Sequence, residues 1–194
     1  MFNSRFVSRR ALLADAGKLT LSAGAIALLA GNDALANTSG ADASKDTGIL
    51  NIALALEHEA IAAYQIGAES GLLAKEVLPV AVLFQNHHKA HRDAIADTIR
   101  KLGGTPAADQ PMDAYLKSSK LNVAAIKSQG DVLALAQRLE LGAANAYLGV
   151  IPAFGDRELA KIAGRLAADE TMHYTALTQA LGGKLPNGAL SFGG

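Results

Sequence analysis

Three of the chain's five histidines fall within five positions of QNHHKAHRD (residues 85–93): His87, His88 and His91. A second stretch, DETMH (residues 169–173), carries Glu170 and His173 at the same i, i+3 spacing as His88 and His91. On a helix that spacing puts both side chains on one face, within reach of a single ion. Two further carboxylates stand in a matched setting. EHEAIAAY places Glu57 seven residues before Tyr64, and ELGAANAY places Glu140 seven residues before Tyr147. Seven residues are nearly two helical turns, so each Glu and Tyr share a face about 10 Å apart along the axis. Cysteine is absent, which excludes thiolate metal sites, disulfides and Cys nucleophiles together. Imidazole and carboxylate remain, a donor set suited to transition metals and the redox chemistry they support.

These residues belong to an internal repeat. Glu57 precedes His91 by 34 positions and Glu140 precedes His173 by 33. Apolar residues follow each histidine at four and eight (Ile95 and Ile99, Leu177 and Leu181), and both stretches close on LGG. The elements that must position them are four helices. The first is expected from about Asp46, with Asp46 or Thr47 as its cap, to Ser70, where Gly71 stops it. The second runs from Pro79 to Leu102, the third from Asp131 to just before Pro152, and the fourth from Asp156 to Leu181. Short connections make each successive pair an antiparallel hairpin. The 27 residues from Gly103 to Gln129 are long enough to return along the bundle, with a short helix near AYLKSS or LNVAAIKS. Glu57, in phase with Ala53, Leu54 and Ile61, and Glu140, in phase with Ala136, Ala143 and Ala144, are expected to face inward. His58 and Glu59 are expected at the surface, and His87 at the margin of the site, about 100° around the helix from His88.

Composition bounds the alternatives. A chain of 194 residues suits one domain, rich in Ala and Leu, without tryptophan and with few aromatics. Eighteen basic residues balance eighteen acidic ones, so nothing in the net charge argues for a nucleic-acid partner. No phosphate-binding glycine loop and no Gly-x-Ser-x-Gly elbow is present. The first 36 residues read as an export signal. Arg9 and Arg10 precede the apolar run Leu19–Gly31, and Ala34–Ala36 supplies small residues for cleavage. The arginine pair resembles the twin-arginine signal, which places the mature chain in the periplasm. An ordinary secretory signal with the same pair is the other reading. The apolar run is too short and too rich in Ala and Gly for a stable span, though a retained anchor stays open. Residues 37–46 read as a flexible lead-in, 47–182 as the bundle, and 183–194 as a loose tail.

Over residues 47–182 the sequence resembles the ferritin-like proteins, the bundle class of non-haem di-iron and di-manganese carboxylate proteins. That resemblance implies Glu ligands from the first and third helices and Glu-x-x-His from the second and fourth. By position it gives Glu57, Glu140, Glu170, His91 and His173 as ligands. It gives Asp169 the part of the Asp that hydrogen-bonds a ligand His and orients it. Tyr64 and Tyr147 match tyrosines near the metals, where they orient carboxylates or quench radicals. HHKAH departs from the pattern. His88 stands where Glu is expected, and His87 where Asp is expected. A neutral imidazole offers one lone pair and cannot bridge two ions. Glu57, Glu140 and Glu170 leave two divalent ions with one surplus positive charge, which a hydroxide or oxide would balance, unless only one position fills tightly. The extra imidazole shifts preference toward zinc or copper relative to manganese and stays compatible with iron.

The expectation is an all-α, ferritin-like four-helix bundle that is exported and metal-binding. Its ligands would be Glu57, His88, His91, Glu140, Glu170 and His173. Iron is the first candidate metal, followed by manganese, zinc or copper. Oxygen, peroxide or ferrous iron is the expected substrate. A non-enzymatic envelope stress or interaction protein, with one structural ion or none, is the alternative from another class. A homo-oligomer is open, and nothing argues for the closed cage that iron storage needs.

Overall fold

The computed structural model describes residues 39–193, so the export segment expected over residues 1–36 lies outside it. Helix α1 spans Ser39–Glu69, α2 Leu78–Lys101, α3 Met112–Leu116, α4 Gln129–Val150 and α5 Arg157–Ala180. No strand occurs among the described residues. The fold is the all-α, ferritin-like bundle arrangement that the connection lengths imply. Helices α1 and α2 pack closely along one another, as do α4 and α5, and α1 lies against α4.

Local chemistry sets the helix ends. Ser128 caps α4, its hydroxyl accepting from Asp131 N at 3.2 Å, and Asp156 caps α5, its carboxylate accepting from Glu158 N at 2.7 Å. The two LGG sequences stop α2 and α5 in the same way. Gly103 and Gly182 take left-handed backbone, with φ of 80° and 70°. The glycine after each then donates back, Gly104 to Ile99 O and Gly183 to Thr178 O, which completes a Schellman-type closure.

Three features differ from the sequence reading. Helix α1 begins at Ser39, inside the expected lead-in. Asp46 therefore does not cap it. It is 3% exposed, and its carboxylate accepts from Gly155 N in the α4–α5 connection. His58 is buried rather than superficial, and Glu59 is half-buried against Lys120, because the crossover lies over both. Asp109 comes within 3.5 Å of His58 Nδ1 and accepts from the Tyr115 hydroxyl of α3. The tail expected to be loose is fastened to the bundle. Gly193 N donates to Asn145 at 2.7 Å, and the Phe192 ring meets the edge of Tyr174.

Apolar clusters fill the bundle on either side of its middle. Leu50, Leu54, Ile95, Ile99, Leu159 and Leu166 pack around Tyr147 toward one end. Phe84, Leu133, Ala136 and Leu177 pack around Tyr64 toward the other. Between them lies a layer of charge.

Candidate metal centre

Each long helix supplies its own part of that layer: Glu57 from α1, His88 and His91 from α2, Glu140 from α4, and Glu170 and His173 from α5. The three carboxylates are at most 2% exposed, and His88 and His173 are as deeply buried. An unpaired carboxylate in such a setting is strongly disfavoured. The six side chains therefore answer one another's charge, and they do so in two groups. Glu57, His88, His91 and Glu170 form one group; His88, Glu140, Glu170 and His173 form the other. In each, one donor atom per residue lies within 4.8 Å of all the rest. Metal–ligand bonds of about 2.0–2.3 Å make opposite donors roughly 4–4.6 Å apart, so both groups have the dimensions of a coordination sphere. His88 and Glu170 belong to both.

The donors converge rather than pair. His91 Nδ1 and Glu170 Oε1 lie 3.2 Å apart, yet both are buried and neither makes a hydrogen bond. Glu140 Oε2, 3.4 Å from His173 Nδ1, is likewise without a partner. Buried polar atoms are seldom left so. Buried polar atoms without partners, converging on a common interior, suit a cation once the histidines give up their protons, and the residues fit a transition-metal ion.

The surrounding bonds repeat across the two hairpins. Tyr64 on α1 donates to Glu140 on α4, and Tyr147 on α4 donates to Glu57 on α1. The outer nitrogens of the two inward-pointing histidines are held in the same crossed manner. His91 Nε2 lies 3.2 Å from Asp169 Oδ2, and His173 Nε2 lies 2.9 Å from His87 Nδ1. An N–H at each Nε2 leaves Nδ1 free to face the centre, the orienting role such partners have at metal sites. His87, half-buried, thus occupies the position that Asp169 holds in the other half. Phe84 stacks on His173, ring centroids 4.1 Å apart, and fixes its plane from the apolar side.

His88 has no such outer partner. Its Nδ1 lies 2.9 Å from Glu57 Oε2 and its Nε2 3.2 Å from Glu140 Oε1. One ring therefore spans the two half-sites. Burial works against its charged form, but Glu140 and Glu57 outweigh burial and hold its pKa well above the usual histidine value. Burial also opposes charge on His91, where Glu170 and Glu57 prevail and raise it to about 10. Burial alone would push Glu57 up, yet the neighbouring His88 and His91 bring it below its ordinary value. In the metal-free centre His88 is a cation between two carboxylates. Burial, followed by the adjacent carboxylates, raises the Tyr64 and Tyr147 hydroxyls well above their usual values, so both remain donors.

Residues 45–183 match the family model described as ferritin-like domain. A crystal structure of a conserved hypothetical protein from Mycobacterium tuberculosis superposes with a TM-score of 0.63 at 23% identity. The alignment covers 77% of this chain and 99% of that one. At that identity the likeness concerns the fold. No curated protein matches the chain significantly.

Proposed function

The chain belongs to the ferritin-like domain family, and from that premise we propose that it is an exported metalloprotein acting on oxygen, peroxide or ferrous iron. The observation that carries this reading is the pair of buried donor groups sharing His88 and Glu170. Glu57 and His91 would hold an ion in one half, Glu140 and His173 an ion in the other, with Glu170 offering one oxygen to each side. Bound iron would supply one-electron redox chemistry. The protein's own contribution is position and protection. Tyr64 and Tyr147 hold Glu140 and Glu57 from across the bundle, Asp169 and His87 fix the two histidines, and the apolar clusters on either side exclude water. Export rests on Arg9 and Arg10 ahead of the apolar run, and cell fractionation with Arg9→Lys, Arg10→Lys as control tests it. No described helix is long and apolar enough to cross a membrane.

Iron-loaded protein is expected to oxidise ferrous iron with oxygen or peroxide in solution, and Glu170→Ala to lose that activity. Tight zinc binding without turnover would favour a second reading, a redox-silent bundle with a structural ion. One observation supports that alternative: the His88 ring, whose pKa its carboxylate neighbours raise, already lies between Glu57 and Glu140 at 2.9 and 3.2 Å. The site then needs fewer metal charges than a four-carboxylate centre.

A further inference from the structure

The end of α1, the α1–α2 turn, the starts of α2 and α4 and the end of α5 line a partly open apolar cavity of about 130 Å³. Leu133, Ala136 and Leu177 form its sides, and Tyr64 and Phe84 lie between it and the metal centre. Glu76, in the exposed turn, is the only charged residue among those lining it. The Tyr64 hydroxyl is engaged with Glu140, so its ring offers carbon to the cavity.

This cavity departs from the repeat. In the register that superposes Glu57 on Glu140, Gly67 and Ala68 correspond to Val150 and Ile151. In the register of His91 on His173, Val77 corresponds to Leu159 and Phe84 to Leu166. Leu159 and Leu166 are buried in the packed core at the opposite end. Leu159 fills packed core where its counterpart Val77 lines the cavity, and Gly67 and Ala68 are smaller than Val150 and Ile151. Gly67 also lets α1 approach α4, since a Cβ there would meet Val132 Cγ1 at 2.8 Å.

Unfilled apolar volume in a core is destabilising in proportion to its size. A dry apolar cavity of about 150 Å³ takes up benzene, because the guest restores the missing contacts and no wall atom needs a polar partner. We propose that this cavity is a binding site for a small apolar molecule, about one aromatic ring in size, seated against Tyr64 and Phe84. Entry is beside Val80, which is 44% exposed and lines the mouth. The guest touches the two rings that flank the centre: Phe84 stacked on His173, and Tyr64 bonded to Glu140. Its binding does not depend on the metal.

Toluene is the probe, titrated into metal-free and metal-loaded protein and followed by calorimetry and thermal unfolding. Saturable one-to-one binding is expected in both forms, with a melting temperature that rises with toluene concentration. Ala136→Leu, which adds three carbons to the wall, weakens binding about tenfold or more. Ala68→Ile, which copies its counterpart Ile151, has the same effect and decides the matter if Ala136→Leu does not fold. Absence of saturable binding in both forms of the parent overturns the assignment, as does undiminished binding in the folded variants. Because calorimetry reads toluene and not metal, failure of the metal centre and failure of this site are separable.

Discussion

Replacing His88 by Glu restores the four-carboxylate pattern and exposes what the imidazole does. In the metal-free protein its two nitrogens face Glu57 at 2.9 Å and Glu140 at 3.2 Å, with Glu170 at 3.8 Å. His88→Glu removes that cation and sets a fourth carboxylate among three that are at most 2% exposed. Breaking a buried ion pair by removing one partner costs about 3–5 kcal/mol. At about 2–4 °C per kcal/mol for a domain of this size, the metal-free variant should melt roughly 6–20 °C lower. With divalent ions in excess the sign reverses, because two ions then balance four carboxylates. Differential scanning calorimetry in chelator and in excess manganese or zinc, with metal counting beside it, reads both effects. The variant is expected to hold a second ion more tightly than the parent. A metal-free His88→Glu protein as stable as the parent, with the same metal stoichiometry, would refute the reasoning.

Three further outcomes follow from the same geometry. Tyr147→Phe removes the donor to Glu57 in a fully buried setting, and urea unfolding of metal-free protein should show a loss of about 1.5–3 kcal/mol; no loss would contradict the crossed Tyr–Glu arrangement. His87→Ala and Asp169→Ala each remove the partner of a histidine's outer nitrogen, and should lower metal affinity about 10–100-fold without changing helix content by circular dichroism. The third outcome concerns pH. His91, raised from 6.5 to about 10, binds its proton more tightly in the folded protein, so its contribution to stability is complete below pH 6.5 and is lost as pH rises through about 10. Metal must displace that proton, so metal affinity should climb over the same interval while metal-free stability declines. Calorimetric titrations in buffers of differing ionisation enthalpy should detect proton release at pH 7, and its absence would count against His91 as a ligand.

The repeat made much of this arrangement readable. Glu57 and Glu140, and the i, i+3 pairs of α2 and α5, recur in register, and a bundle that superposes its halves must bring them to one level. What the repeat could not convey is which groups bond across the hairpins. Glu57 and Tyr64 share a helix face, but nearly two turns separate them, too far for a direct bond. Each tyrosine is therefore free for the carboxylate of the opposite hairpin, a pairing visible only once α1 and α4 are in contact. The burial of His58 is hidden for a related reason: its helical phase points outward, and the cover is supplied by Asp109 from the α2–α4 connection, 51 positions away in sequence. Asp46 has the chemistry of a cap, and only the location of Gly155 reveals that it works as an acceptor inside α1. The contrast of Gly67 and Ala68 with Val150 and Ile151 was present in the sequence all along. Its meaning depends on how the bundle end closes.

Element-resolved metal analysis of the purified protein, set against Glu170→Ala, tests the central claim most directly. Glu170 is the carboxylate common to both donor groups. At least one tightly bound transition-metal ion per chain is predicted for the parent, with metal content and metal-dependent stability both lost in the variant. A parent that folds without binding any transition metal, with Glu170→Ala unchanged in metal content and stability, would contradict the account.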